Sequence, residues 1–382
     1  MIKWLWVLVP LGLTVSCVKS GNVHDHYTGY YSTPENDHPR IEVVFVLDAT
    51  GSMTSLIEGA KRKIWSIANQ IVTGDPIPEV RVGLVVYRDR GDNYVVKGYD
   101  LTDDIDEIYY HLTNVRAEGG GDFPEDVNQA LEYAVDSISW TNSSAVLKLV
   151  FLVGDAPPHM DYNDQKHYPD ICSGAISRDI IINTIRCGSD ANTDQVWQEI
   201  AHLAEGNYVT IDYSAYTEIP TPYDDELSSL SSDLYGTVLI YGSKEEREER
   251  DMILGMGGAV ASEVPSTAAD RSSFAASRAS SGEITSQDLI GQLIEGTISL
   301  EDIEPEELPD ELAELDEQHR KMYIDSLIEY RNEVSSRIME LSKLRDQYLK
   351  DHQEDNQDAF DIFVIETLKE QADRIGVEYG GE

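Results

Sequence analysis

Basic residues are scarce in this chain. Of 382 residues, 29 are Lys or Arg against 71 Asp or Glu, a net charge of −42. A surface of that sign repels nucleic acid, whose binding depends on Lys and Arg neutralising phosphate, and disfavours docking on anionic lipid. It suits a solubilising role in salty surroundings better than that of a low-affinity store for divalent cations. Cysteine is scarcer still, at three residues. There is no Gly-x-x-x-x-Gly-Lys-Ser/Thr loop for nucleotides, no legible Ser-His-Asp arrangement and no internal repeat. What is present is 41% apolar residues, enough for a packed core, and a length that suits one sizeable α/β domain with a smaller appendage.

The N-terminus combines a short positive head, Met1-Ile2-Lys3, with an apolar run of twelve residues from Trp4 to Val15. That run matches a signal peptide and falls short of the ~20 residues that span a bilayer. Leu13-Thr14-Val15-Ser16-Cys17 resembles the bacterial lipoprotein box. Cleavage there makes residues 1–16 a signal peptide and Cys17 the lipidated first residue of a protein held at the bacterial cell envelope, on the outer membrane or the periplasmic face. Ordinary secretion is the alternative. Removing Cys17 leaves an even pair, Cys172 and Cys187, which an oxidising compartment is expected to join in one disulfide. Such a bridge would clamp a helix to the strand after it and stabilise by about 3 kcal/mol.

Residues 17–39 are polar, with Gly21, Gly29, Pro34 and Pro39, and read as a flexible tether. Strand and helix patterns then alternate across 40–213. Strands are expected at Ile41–Leu47, Val80–Tyr87, Tyr94–Gly98, Val146–Val153, Ile180–Arg186 and Asn207–Ile211. Helices are expected at Thr54–Val72, Asp103–Leu112, Pro124–Ser139, Asp170–Ser177 and Thr193–Ala204. This alternation predicts an α/β fold, a doubly wound, mostly parallel sheet with helices on both faces. Residues 214–300, rich in Ser, Ala and Gly, read as an irregular linker or small extension, with a short strand at Leu234–Tyr241 and a charged helical turn at Ser243–Met252. Residues 301–382 read as a helical C-terminal region, with one long helix from Pro309 to Lys350 and a shorter one from Asp358 to Val377 as its candidate partner. Ile324, Leu327, Val334, Ile338, Leu341 and Tyr348 form one stripe on the long helix, and Arg331 and Arg345 interrupt it. Those interruptions favour a helix docked on its own chain over a dimeric coiled coil, with self-association through this helix as the further possibility.

Asp48-Ala-Thr50-Gly51-Ser52 follows directly on the buried-strand pattern Ile41–Leu47. Oxygen-bearing side chains at a strand end, where open α/β sheets bind ligands, suggest a hard cation. The sequence here resembles the von Willebrand factor A (vWA) family, whose metal-ion-dependent adhesion site reads Asp-x-Ser/Thr-x-Ser. Two further segments extend the resemblance over roughly 40–213. Gly119-Gly120-Gly121-Asp122-Phe123-Pro124-Glu125-Asp126 resembles the integrin β-subunit loop, Asp-x-Pro-Glu, which gives Glu125 a metal-binding role. Val150–Val153 followed by Gly154-Asp155 matches the family's last loop aspartate. The resemblance implies a Rossmann-like fold and one Mg²⁺ (or Mn²⁺ or Ca²⁺) held by Asp48, Thr50, Ser52, Glu125 and Asp155, with an open position that accepts an acidic side chain of a protein ligand. Thr54, Ser55 and Leu56 stand where integrin β-subunits carry aspartates for a neighbouring metal, which argues against a second ion and leaves Asp122 as the remaining candidate for a flanking site. Tyr87–Asp92 and Gly119–Glu125 most resemble the vWA module joined to alpha-kinases, yet no kinase Lys/Glu/Asp set follows.

Arg90-Gly91-Asp92 spells the tripeptide that integrins bind, but reads as a charged turn between strands. His159 and His167, with Asp161, Asp164 and Asp170, read as a solvated loop beside the binding face that helps select the ligand. The function expected is a non-enzymatic, metal-dependent protein-binding (adhesion or scaffold) module at the cell envelope. The alternative is a Mg²⁺-dependent, phosphatase-like hydrolase using Asp48 as nucleophile. Against it, haloacid-dehalogenase-type enzymes need a second Asp two residues on, where this chain has Thr50.

Overall fold

Every residue of strand β1 (Arg40–Asp48) after the first is buried, as a run with no polar alternation requires of a strand covered on both faces. The computed structural model describes residues 39–121, 123–211, 219–279, 282–352 and 359–379. The signal and tether expected at 1–16 and 17–39, with Cys17, lie almost wholly outside those residues, as does Asp122. β1 is flanked by β2 (Glu79–Tyr87) and β4 (Val146–Gly154) in a six-stranded sheet completed by β3 (Val96–Thr102), β5 (Ile180–Cys187) and β6 (Tyr208–Ile211). The spatial order is β3-β2-β1-β4-β5-β6. All neighbours are parallel except the edge strand β3, which runs antiparallel to β2 and is half polar. The order reverses between β1 and β4, which opens a crevice at their carboxyl ends.

Helices α1 (Thr54–Ile71) and α2 (Ile105–Thr113) cover one face, and α3 (Val127–Asp136), α4 (Tyr168–Ile176) and α5 (Ala191–Leu203) the other. Neighbouring β1 residues feed opposite cores, Val43 and Phe45 toward α1, Val44 and Val46 toward α3. The doubly wound expectation is met. The disulfide is not: Cys172 and Cys187 are both free thiols. Cys172, on α4, packs into the core on the α3–α5 face, whereas Cys187 packs into the core beneath α1. The sheet itself separates them, and burial pushes the Cys172 thiol up to about 12.

The segment expected to be irregular, with one helical turn at Ser243–Met252, is helical over much more of its length. It forms α6 (Asp224–Tyr235), α7 (Lys244–Glu263), α8 (Pro265–Ala279) and α9 (Leu289–Glu295), followed by the single turn α10 (Asp310–Ala313) and α11 (Glu317–Asp351). Its alanines are strong helix formers, and on α8 Ala268, Ala269, Ala275, Ala276 and Ala279 are buried. No strand forms at Leu234–Tyr241. α6 runs to Tyr235, and Ile240 makes one isolated bridge, to Asp288. The long helix is interrupted before Glu317, where Asp316 caps α11 by accepting from the His319 amide at 3.0 Å.

The stripe on α11 is buried within its own chain. Val334, Ile338 and Leu341 pack with Leu227, Leu234 and the α8 alanines, so the stripe is not a coiled-coil seam. Arg331 and Asp288 are both fully buried, joined by bonds of 2.7 and 3.0 Å, and Arg331 also donates to the hydroxyl and carbonyl of Thr237. Arg345 bonds Asp224 at 2.8 Å and Asp270 at 2.7 Å. The same device holds these helices to the sheet domain. Arg271 on α8 meets Asp106 at 2.8 Å, and Arg250 on α7 meets Asp104, the N-cap of α2, at 2.9 Å. The last helix, α12 (Ala359–Ala372), is not a hairpin partner for α11. It lies on α1 and the sheet, contributing Val364, Leu368 and Ala372 to the core beneath α1, and Gln371 exchanges amide bonds with Asn183 of β5 at 2.9 and 3.1 Å.

Arg331→Leu should cost about 3–5 kcal/mol in urea unfolding, because it strands a buried carboxylate. The double variant with Asp288→Leu should recover part of that loss, since it removes both charges.

Candidate metal centre

Asp48 is the last residue of β1, in register with Tyr87 of β2, at the point where the strand order reverses. Its side chain is fully buried. One oxygen, Oδ1, accepts from the Thr50 amide at 2.8 Å and the Thr50 hydroxyl at 2.6 Å. The Thr50 and Ser52 hydroxyls are 3.3 Å apart, and the chain then winds through a tight turn, Gly51–Met53, into α1. Thr50 is buried while Ser52 is exposed, so the three oxygen-bearing side chains step from the floor of the crevice to its mouth. The second carboxylate oxygen, Asp48 Oδ2, is buried with no hydrogen-bond partner.

Two more loops close on this one. Gly51 donates its amide to the Gly119 carbonyl at 3.4 Å. Gly120 adopts φ +80°, and a Cβ there would sit 3.2 Å from Thr50 Cβ and 3.5 Å from Glu125 Oε1. A residue with a side chain would therefore be strained and would crowd Thr50. Glu125 donates its amide to the Pro157 carbonyl and accepts from the His159 amide, both at 3.1 Å, which pins it to the loop after β4. Asp155 opens that loop, half-buried, and the Trp197 indole donates to the next carbonyl, Ala156, at 3.1 Å. The Glu125 side chain is buried, and its Oε2 has no hydrogen-bond partner.

The electrostatics follow from that placement. Burial, and then the Asp155 charge, push the Asp48 carboxyl up to about 7 against the pull of its Thr50 hydrogen bonds. Glu125 is pushed up to about 9, first by burial and then by Asp48, Asp89, Asp92 and Asp155. Acids gathered in a buried crevice without a counter-ion hold protons. Among the described residues no three His, Cys, Asp or Glu side chains form a ready metal cage, so the set depends on the two hydroxyls as well as on the carboxylates. All five side chains offer oxygen, the donor type of Mg²⁺, Ca²⁺ and Mn²⁺. Two orphaned carboxylate oxygens beside neutral hydroxyls fit a hard divalent cation.

The sequence profile of the von Willebrand factor A domain matches residues 42–218. Residues 42–218 are a von Willebrand factor A domain. Within them, von Willebrand factor A domain-containing protein 7 of Rattus norvegicus is 39% identical over 97 residues, 25% of this chain and 10% of that protein. The alpha-protein kinase vwkA of Dictyostelium discoideum is 26% identical over 120 residues, 31% of this chain and 19% of that protein. This chain therefore spans between about a tenth and a fifth of the curated relatives it matches. Among solved structures, proximal thread matrix protein 1 from the mussel byssus, with a zinc-occupied MIDAS motif, aligns with a TM-score of 0.36 and 18% identity, over 46% of this chain and 43% of that one.

Several residues of the vWA crevice were not legible as functional. Arg88 is buried and donates to the Ala49 carbonyl at 3.2 Å and the Arg116 carbonyl at 2.6 Å, tying two of the loops together. Arg90 is not presented as part of an adhesive tripeptide. It bonds Asp126 and Asp164, and its guanidinium lies 4.0 Å from the centre of the Tyr162 ring. Asp92 accepts from the Gly120 amide at 3.3 Å, so the turn reading holds and the turn buttresses the Gly-rich loop. His159 is buried rather than solvated, stacked on Tyr162 at 4.1 Å and bonded to Asp161 at 2.8 Å. His167 bonds the Tyr162 carbonyl at 3.2 Å. Tyr87 is fully buried with its hydroxyl unpartnered. The segment 87–92 stood out in sequence, but nothing there separated a core tyrosine from one facing the site.

Both raised carboxyls bind protons in the folded state that the unfolded chain releases. Their contribution to stability is complete below an ordinary carboxylate pKa and is lost as pH rises through about 7 and about 9. Thermal melts in chelator should therefore show a melting temperature that falls from mildly acidic to alkaline pH. Saturating Mg²⁺ should flatten that fall, and Asp48→Asn should make it shallower.

Proposed function

We propose that this chain is a metal-dependent protein-binding module that captures a partner's acidic side chain through a divalent cation, Mg²⁺ first, held by Asp48, Thr50, Ser52, Glu125 and Asp155. One observation carries this reading: the two buried, unpartnered carboxylate oxygens, Asp48 Oδ2 and Glu125 Oε2, brought from separate loops to one crevice. When bound, the cation supplies a Lewis-acidic position at the mouth, where Ser52 is exposed and Asp155 half-buried. The chain's residues keep charge and hydroxyls fixed around it, and Thr50 holds one Asp48 oxygen so that the carboxylate cannot swing away. Phe123 and Met160, both exposed on the loops that carry Glu125 and follow Asp155, would meet apolar side chains flanking the ligand's carboxylate. At a net charge of −42, the rest of the partner's surface is better neutral or basic than acidic.

The hydrolase reading asks Asp48 to be an accessible nucleophile. Full burial, with one oxygen committed to Thr50, favours a structural ligand instead. The proposal also holds the protein at a bacterial envelope through lipid on Cys17, and no described helix is long and apolar enough to cross a membrane.

Isothermal titration of MgCl₂ or MnCl₂ into the full chain should show one binding event, absent in Asp48→Ala. Unchanged binding in that variant would overturn the metal assignment. For the anchor, the chain expressed in a bacterium with labelled palmitate should take up the label, and Cys17→Ser should not. Equal labelling of both would refute lipidation at Cys17.

A further inference from the structure

Tyr87 ends β2 directly opposite Asp48, and its own carbonyl accepts from the Ala49 amide at 2.8 Å, which locks the two strand ends together. The ring belongs to the core between the sheet and α3–α5. The hydroxyl does not end in that core. A Cβ built on Gly154 would lie 2.5 Å from the Tyr87 oxygen, 3.0 Å from Asp48 Cβ and 3.1 Å from the Trp197 ring. The phenol oxygen thus passes over the one residue of β4 that has no side chain, immediately before Asp155. Gly154 is what lets it reach the crevice floor, beside the strand ends that carry Asp48 and Asp155. Burial first, and then the Asp48, Asp155 and Glu125 carboxylates, hold the phenol proton on by pushing its pKa well above the usual tyrosine value.

Neither the Tyr87 hydroxyl nor Asp48 Oδ2 has a hydrogen-bond partner, though both are completely buried. Buried polar groups are nearly always bonded. Phenylalanine would fill the ring's place in the core without the cost of an orphaned hydroxyl. We propose that Tyr87 is a positioning residue for the metal: its hydroxyl donates a hydrogen bond to a water held between Asp48 and Asp155 once a cation is bound. Mg²⁺ keeps several of its waters in protein sites, and carboxylates that hold those waters need something to fix the far side of the hydrogen-bond network. A phenol bonded to such a water acts on the ion only through its surroundings. Outer partners of this kind commonly change metal affinity by 10- to 100-fold.

This inference rests on the metal-binding reading above, and one experiment separates the two. Mg²⁺ is titrated calorimetrically into the full chain and into Tyr87→Phe, and both are melted in chelator. Tyr87→Phe should bind Mg²⁺ about 10- to 100-fold more weakly while melting in chelator at the same temperature as the parent or higher, because the metal-free fold gains nothing from the hydroxyl. Parent binding with undiminished affinity in Tyr87→Phe would overturn the role of Tyr87 and leave the metal site standing. Weaker binding accompanied by a lower metal-free melting temperature would also overturn it, assigning the hydroxyl to the fold. A parent chain that binds no Mg²⁺ would remove the metal reading and this inference together.

Discussion

The charge balance of the crevice between β1 and β4 is the constraint around which the structure is organised. Elsewhere in the chain, buried carboxylates are answered by arginine: Asp106 by Arg271, Asp288 by Arg331, Asp224 by Arg345, Asp104 by Arg250. Asp48 and Glu125 are answered by hydroxyls, amides and each other's repulsion. The nearby guanidiniums are directed elsewhere. Arg88 is spent on two backbone carbonyls, and Arg90 on Asp126 and Asp164. Burying a charge without a partner is costly, and a chain that pairs buried acids so regularly leaves two unmatched where three loops meet. The divalent cation proposed for this crevice would supply the missing charge there.

The same contrast changes the meaning of the composition. Arg88, Lys148, Arg186, Arg271, Arg331 and Arg345 are all buried, so basic residues already in short supply are drawn inward and used as internal clamps. Acids are buried alongside them, among them Glu42, Asp104, Asp106, Asp224 and Asp288, so the exterior stays strongly acidic. A net charge of −42 concentrates cations around the molecule.

Much of the sheet domain was legible, because parallel strands buried on both faces leave an unmistakable apolar run and their ends fix where ligands can sit. Asp48, Thr50, Ser52 and Asp155 are placed by that rule alone. Glu125 needed the family resemblance, since a carboxylate in a Gly-rich loop has no strand to fix its position. Apart from the helical turn expected at Ser243–Met252, which falls in α7, the helices between Asp224 and Glu295 were missed because Ser- and Ala-rich sequence is also the composition of linkers. Their amphipathic signal lies in small buried residues and isolated buried arginines rather than in large apolar ones. The cysteine expectation failed for a geometric reason. An even count says nothing about which face of a sheet each thiol occupies, and Cys172 and Cys187 fall on opposite faces.

The docking of α12 on β5 and α1 has a consequence for biosynthesis. Gln371 pairs with Asn183 across 188 residues of sequence, and the Tyr379 hydroxyl reaches the Ile71 carbonyl across 308. The stretch 42–218 that defines the domain is therefore finished on the ribosome well before the residues that seal one of its faces exist. At ~5–20 residues per second, the nascent chain carries an incomplete apolar surface for roughly ten to thirty seconds. During that interval the domain depends on the ribosome, a chaperone or transient self-packing to keep that surface from other chains.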